Sequence, residues 1–102
     1  MRPHLFVFGY EGPADRQANE RFGGDQESSS AVWIVAESAE QALTRGRVYA
    51  EEFVSGLYRD AGLHPSSWMA AGFVHWISRE PLQEFAGIVL DMLPTIDGAS
   101  IA

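Results

Sequence analysis

The stretch from Ala31 to Asp60 leaves this chain the least freedom: AVWIVAE, then SAEQALTRGRVYAEEFVSGLYRD. An apolar run of strand length feeds without a linker into one long amphipathic helix, and every other segment must be arranged around that pair. Ser38 suits the N-cap, because its hydroxyl can accept a hydrogen bond from an orphan amide of the first turn. Gln41 stands at the capping-box spacing, from which its side chain can reach back to the Ser38 amide. At about 100° per residue, Ala39, Ala42, Leu43, Gly46, Tyr49, Ala50, Phe53, Val54 and Leu57 share one arc. Glu40, Thr44, Glu51 and Ser55 fall opposite, with Arg47 spaced to pair with Glu51 one turn on.

Ala42, Gly46 and Ala50 recur every four positions along the apolar arc. Glycine inside a helix costs about 1 kcal/mol relative to alanine. Gly46 therefore implies that the helix approaches a sheet closely, beneath large side chains. Gly62 is the expected stop, with Pro65 beyond it to prevent resumption. The segment carries too many charges to span a bilayer.

Three further segments complete the frame. His4–Tyr10 (HLFVFGY) is a strand with Leu5, Val7 and Gly9 on one face and Phe6, Phe8 and Tyr10 on the other. Neither face is polar, the pattern of a strand covered on both sides. In the second strand, 31–37, Trp33 and Val35 oppose Val32, Ile34 and Ala36. Residues 68–78 (WMAAGFVHWIS) read as a third strand, bent at Gly72, and a strand–helix–strand order makes the second and third strands parallel.

Residues 11–30 read as a long mobile surface loop, with room for a helical turn at 14–22. Leu82, Phe85, Ala86, Val89, Leu90 and Leu93 have helical spacing and favour a last helix over 81–93. The alternative is a short helix at 81–85 followed by a fourth strand opened by Gly87-Ile88-Val89. Residues 94–102 read as a C-terminal tail. The expected fold is an α/β (α+β) two-layer sandwich in a single domain, 1–102. Its small sheet has three to four strands in the order β-β-α-β-α, with the helix of about 39–60 packed on one face.

Composition narrows the function classes. The absence of cysteine excludes disulfides, thiolate metal sites and cysteine nucleophiles. Seven basic residues against fourteen acidic give a net charge of −7, which argues against nucleic acid and anionic membrane surfaces. It is compatible with a basic protein partner. Met1-Arg2-Pro3-His4 leads into a run that strand alternation explains better than a secretory leader, so a cytoplasmic location is the default expectation.

Catalytic and metal motifs are sparse. His75, between Val74 and Trp76, is either a ligand-facing imidazole or a core histidine satisfied by the backbone. His4 and His64 lack a second ligand at metal spacing, so neither metal nor cofactor is expected. Glu51 and Glu52 point about 100° apart on a helix and are not a catalytic pair. Gly23-Gly24-Asp25 lacks the lysine and the context of a phosphate-binding loop. Ser28, Ser29 and Ser30 lack a nucleophile-elbow pattern.

Aromatic residues on the expected strands outnumber the cover that two helices on one face can supply. A bare aromatic face of several hundred Å² is unusual on a monomer. The leading expectation is a non-enzymatic binding or interaction protein, a homo-oligomer (dimer) associating through Phe6, Phe8, Trp33 and Trp68. An acidic inhibitor of a basic protein, of the antitoxin or immunity type, is one form this can take. The alternative is a small-molecule-binding protein or small enzyme. Its site would lie at the strand ends near residues 11–30, lined by Tyr10, His75, Trp76 and Arg79.

Overall fold

A computed structural model describes residues 1–80, 84–85 and 87–99. Its main sheet has the order β3 (His75–Ser78), β1 (Arg2–Tyr10), β2 (Ser28–Ala36), β6 (Thr95–Asp97), with β1 and β2 at the centre. These two pair antiparallel along their whole length, from Arg2 opposite Ala36 to Tyr10 opposite Ser28. β3 (His75–Ser78) pairs antiparallel with the other edge of β1, and β6 (Thr95–Asp97) pairs parallel with β2. Since β2 and β3 both run antiparallel to β1, they are parallel to each other, as the strand–helix–strand order implies. They are not neighbours, because β1 lies between them.

The long helix α2 spans Ala39–Asp60. Ser38 Oγ accepts from the Gln41 amide at 3.1 Å, while Gln41 Oε1 takes the Glu37 amide at 2.8 Å rather than that of Ser38. Gly62 ends the helix in the left-handed region, at φ 73°. Ala42, Gly46, Ala50, Val54 and Tyr58 are buried, and Leu43, Tyr49 and Phe53 flank them half-buried against the same core. This stripe packs on Phe6, Phe8, Val32, Ile34 and Ala36, the alternate residues of β1 and β2 on one face. A Cβ on Gly46 would stand 2.5 Å from Phe6 Cγ and 2.7 Å from Cε1. The helix therefore rests directly on the phenyl ring, as its small-residue spacing implies.

The opposite face carries Leu5, Val7, Ala31 and Trp33, and here the covering material differs from expectation. No continuous helix occupies 81–93. Residues 81–83 and Ala86 lie outside the described residues, but β4 (Glu84–Phe85) and β5 (Ile88–Val89) form an antiparallel pair. Gly87 between them has φ 80°, a backbone conformation that a helix does not use. A 3-10 turn, Leu90–Met92, follows. Leu90 packs with Leu5, Val7 and Ala31, and Ile88 and Leu93 close around it. Trp33 Nε1 donates to the Leu90 carbonyl at 2.9 Å, and the Trp33 amide donates to the Pro94 carbonyl at 3.0 Å. The stretch read as a tail then supplies β6, and Gly98 donates its amide to the Val35 carbonyl at 2.8 Å.

Two other segments differ. Residues 11–30 are mostly regular: α1 spans Pro13–Phe22, and the serine run belongs to β2. The Gly12 amide donates to Asp15 Oδ2 at 2.9 Å at the start of α1, and Gly23 ends it at φ 71°. Asn19 ties the remaining turn, accepting from the Gln26 amide at 2.6 Å and donating to Glu11 Oε2 at 2.8 Å.

The strand expected over 68–78 is two elements. Trp68–Ala71 form a short helix, α3, capped by Ser67 and ended by Gly72 at φ 74°, and β3 starts only at His75. Glu51 does not pair with Arg47. Its carboxylate accepts from Ser67 Oγ at 2.7 Å and from the Trp68 amide, fastening α3 to α2.

Candidate functional site

The four residues expected to form an aromatic interface do not present a common surface. Phe6 and Phe8 are completely buried, because their side of β1 faces α2. Trp68 is buried on α3, where its Nε1 donates to the Gly9 carbonyl at 2.8 Å and its ring meets Phe8 edge-on. Trp33 is half-buried on the reverse face beneath Leu90. The cluster is thus internal to one chain and gives no indication of self-association. The miscount has a simple cause: Tyr49, Phe53 and Trp68 pack edge-on against Phe8, and Phe53 against Tyr10, from α2 and α3, so the aromatics cover one another.

Three of the four expected ligand-site residues do come together. His75, Trp76 and Arg79 line a cleft of about 380 Å³ between β3 and the first half of α2, shared with Ala39, Glu40, Leu43, Arg47 and Ile77. Tyr10 is not among them. It lies at the far end of β1, roughly 20 Å from His4 at strand rise, with its ring tilted against Phe8 and edge-on to Phe53. Burial raises its phenol pKa above the usual value. Hydrogen bonding to Ser28 opposes that shift and the charge of Asp15 reinforces it.

The sheet register decides what the cleft presents. His75 stands opposite Phe8 and Ile77 opposite Phe6, so both side chains face α2. Trp76 stands opposite Val7, which puts its indole on the reverse face. The cleft thus has an apolar floor of Ala39, Leu43 and Ile77 with Arg47 and Arg79 at its sides. Glu40 is its one acidic lining residue.

His75 is held from both sides. Its Nδ1 lies 2.8 Å from the Phe73 carbonyl, which can only accept, so Nδ1 carries the proton. Nε2 is then an acceptor and receives Arg47 Nε–H at 2.9 Å. Its ring packs against Phe6 and Trp68. The imidazole spends both nitrogens on structure and fixes the direction in which the Arg47 guanidinium extends. Neither Arg47 nor Arg79 is ion-paired among the described residues, where the one salt bridge is Arg16–Glu20 at 3.2 Å.

A second cleft of about 320 Å³ adjoins the first, sharing Ala39, Ile77 and Arg79 and adding Arg2, Pro3, His4, Leu5 and Ser78. His4 is 6% exposed, and neither of its ring nitrogens has a hydrogen-bond partner among the described residues. An unsatisfied buried polar group of this kind costs about 1–3 kcal/mol. Arg45 also has a buried Nε and Nη1 with no partner among the described residues, but it lines neither cleft.

Arg47, Arg2 and His4 were missed as site residues. For His4 a signal existed in its shared strand face with Phe6. For Arg47 the helical spacing to Glu51 pointed the other way, and its contact with His75 spans 28 positions. Among the described residues there is no metal-binding group of three or more His, Cys, Asp or Glu, and no helix long and apolar enough to cross a membrane. Compared with known proteins, the chain matches no family model, no curated protein and no solved structure.

Proposed function

We propose that this protein is a non-enzymatic binding protein whose ligand is a small anionic molecule held in the cleft between α2 and β3. The observation that carries it is a pair of arginines without carboxylate partners among the described residues, Arg47 and Arg79, flanking an apolar floor in a chain of net charge −7. In so acidic a protein, two guanidinium groups on one cleft with no carboxylate partner among the described residues favour an incoming anion. Arg47 is oriented in advance by His75, which lowers the ordering cost of binding. His75 favours binding over catalysis for the same reason: with Nδ1 on a carbonyl and Nε2 on Arg47, neither nitrogen is left to exchange a proton with a ligand.

Titration calorimetry with hexanoate and with inorganic phosphate, at matched ionic strength, tests this. A charge-assisted hydrogen bond contributes about 1.5–3 kcal/mol, so Arg79→Ala and Arg47→Ala should each weaken binding by roughly tenfold or more. Arg21→Ala, an arginine on α1 outside the cleft, should leave it unchanged. Absence of saturable binding, or equal loss in all three variants, would overturn the proposal.

A further inference from the structure

We infer that the anion is a short acidic peptide, bound in extended form along the outer edge of β3 as an added antiparallel strand. This rests on the proposed anionic ligand and goes further in naming its chemical class. The Gly9 amide donates to the Val74 carbonyl at 2.9 Å, which makes Gly9 and Val74 a hydrogen-bonded pair continuing the β1–β3 register. Such pairs alternate along an antiparallel ladder, so the next is Val7 with Trp76. His75 and Ile77 fall between these pairs, and their amides and carbonyls point away from β1. β3 is the outermost strand on its side of the sheet, and among the described residues no strand takes those groups. Backbone groups on such an edge are a template for an extended peptide. Trp76 lines the cleft although its indole is on the reverse face, so the cleft reaches the outer edge of β3 as well as the face beneath α2.

Alternation along the strand fixes what the peptide carries. His75, Ile77 and Arg79 stand two residues apart, a row of roughly 13 Å at strand rise. Arg47 is held at the His75 end by its 2.9 Å hydrogen bond, Ile77 and Leu43 make the middle apolar, and Arg79 closes the other end. A strand laid beside β3 sets every second side chain of its own in the same row. The complement is an acidic residue at each end of five positions with an apolar one at the centre. The two residues between them fall on the reverse face. Glu40 is the one carboxylate in the lining, against two arginines. β3 itself is four residues long, which suits a peptide of this length rather than a long strand of a folded partner.

Titration calorimetry with acetyl-Glu-Ala-Leu-Ala-Glu-amide, whose blocked ends leave only the two side-chain charges, decides the matter. The expected result is saturable binding that weakens at least about tenfold when glutamine replaces both glutamates, the scale of one charge-assisted hydrogen bond. Methylating the leucine nitrogen, which faces β3 in the antiparallel pairing, should cost a similar factor. Methylating the nitrogen of the preceding alanine, which faces away, should change little. Equal effects of the two methylations would overturn the added strand. If hexanoate binds and depends on Arg47 and Arg79 while the peptide binds no tighter than its glutamine analogue, the peptide is wrong and the anion-binding cleft stands. If hexanoate, phosphate and the peptide all fail to bind, both proposals fall.

Discussion

Trp68→Ala should cost about 3–5 kcal/mol of stability, the range for truncating a buried tryptophan. Against the 5–15 kcal/mol that is typical of a folded domain, this would leave the protein marginal. Two losses combine at this site. The indole fills the space between α3, Phe8 and His75, with ring centroids 5.9 and 5.1 Å away. Its Nε1 also satisfies the Gly9 carbonyl at 2.8 Å, an acceptor that would otherwise be left to itself at the end of β1. Trp68→Phe separates the two, keeping most of the ring packing and losing only the donor, at a cost of about 1–3 kcal/mol. Urea denaturation followed by circular dichroism measures both. A loss below 1 kcal/mol in Trp68→Ala would contradict the buried position, and would suit a tryptophan displayed on a sheet surface.

Gly46→Ala and Gly56→Ala, two changes of the same kind in one helix, should move stability in opposite directions. Helix propensity alone favours alanine by about 1 kcal/mol at each interior position. At Gly56 nothing lies within 4 Å of an added Cβ, so that gain should appear nearly whole. At Gly46 the added carbon would stand 2.5 Å from Phe6 Cγ, inside a ring that is completely buried and has no room to retreat. Overpacking of this kind costs about 1–3 kcal/mol. The net effect should be a destabilisation of up to about 2 kcal/mol, or roughly 5–15 °C in Tm for a domain of this size. Phe6→Leu should offset part of the Gly46→Ala loss, because the smaller side chain relieves the clash; the two changes should therefore be less than additive. A rise in Tm for Gly46→Ala comparable to that of Gly56→Ala would show that α2 does not seat on Phe6.

These contrasts also explain what was readable in advance. α2 carried its own boundaries in Ser38 and Gly62, and its small-residue stripe announced a close contact before the partner ring was known. Strand alternation placed Phe6 and Phe8 on one face and Leu5 and Val7 on the other. Two things depended on distant parts of the chain. Residues 88–93 cover the reverse face in extended and 3-10 form, a packing that their helical spacing disguised. The helix at Trp68–Ala71 is a single turn, too short for periodicity to register, although Ser67 and Gly72 carried its caps. The cleft was half legible: His75 and Arg79 line it and Trp76 borders it by its place in β3, while Tyr10 belongs to the opposite end of the sheet. Arg47 turns to His75 while Glu51, its expected partner, is engaged with Ser67 and Trp68 at the start of α3.

The most direct measurement is an amide nitrogen–proton correlation spectrum of the ¹⁵N-labelled protein, recorded while hexanoate is added at constant ionic strength. Saturable shifts concentrated at Ala39, Glu40, Leu43, Ile77 and Arg79 are the expected result, with Tyr10, Trp33 and the α1 amides unmoved. Shifts confined to residues outside this cleft, or no saturable shift at all, would contradict its assignment as the binding site.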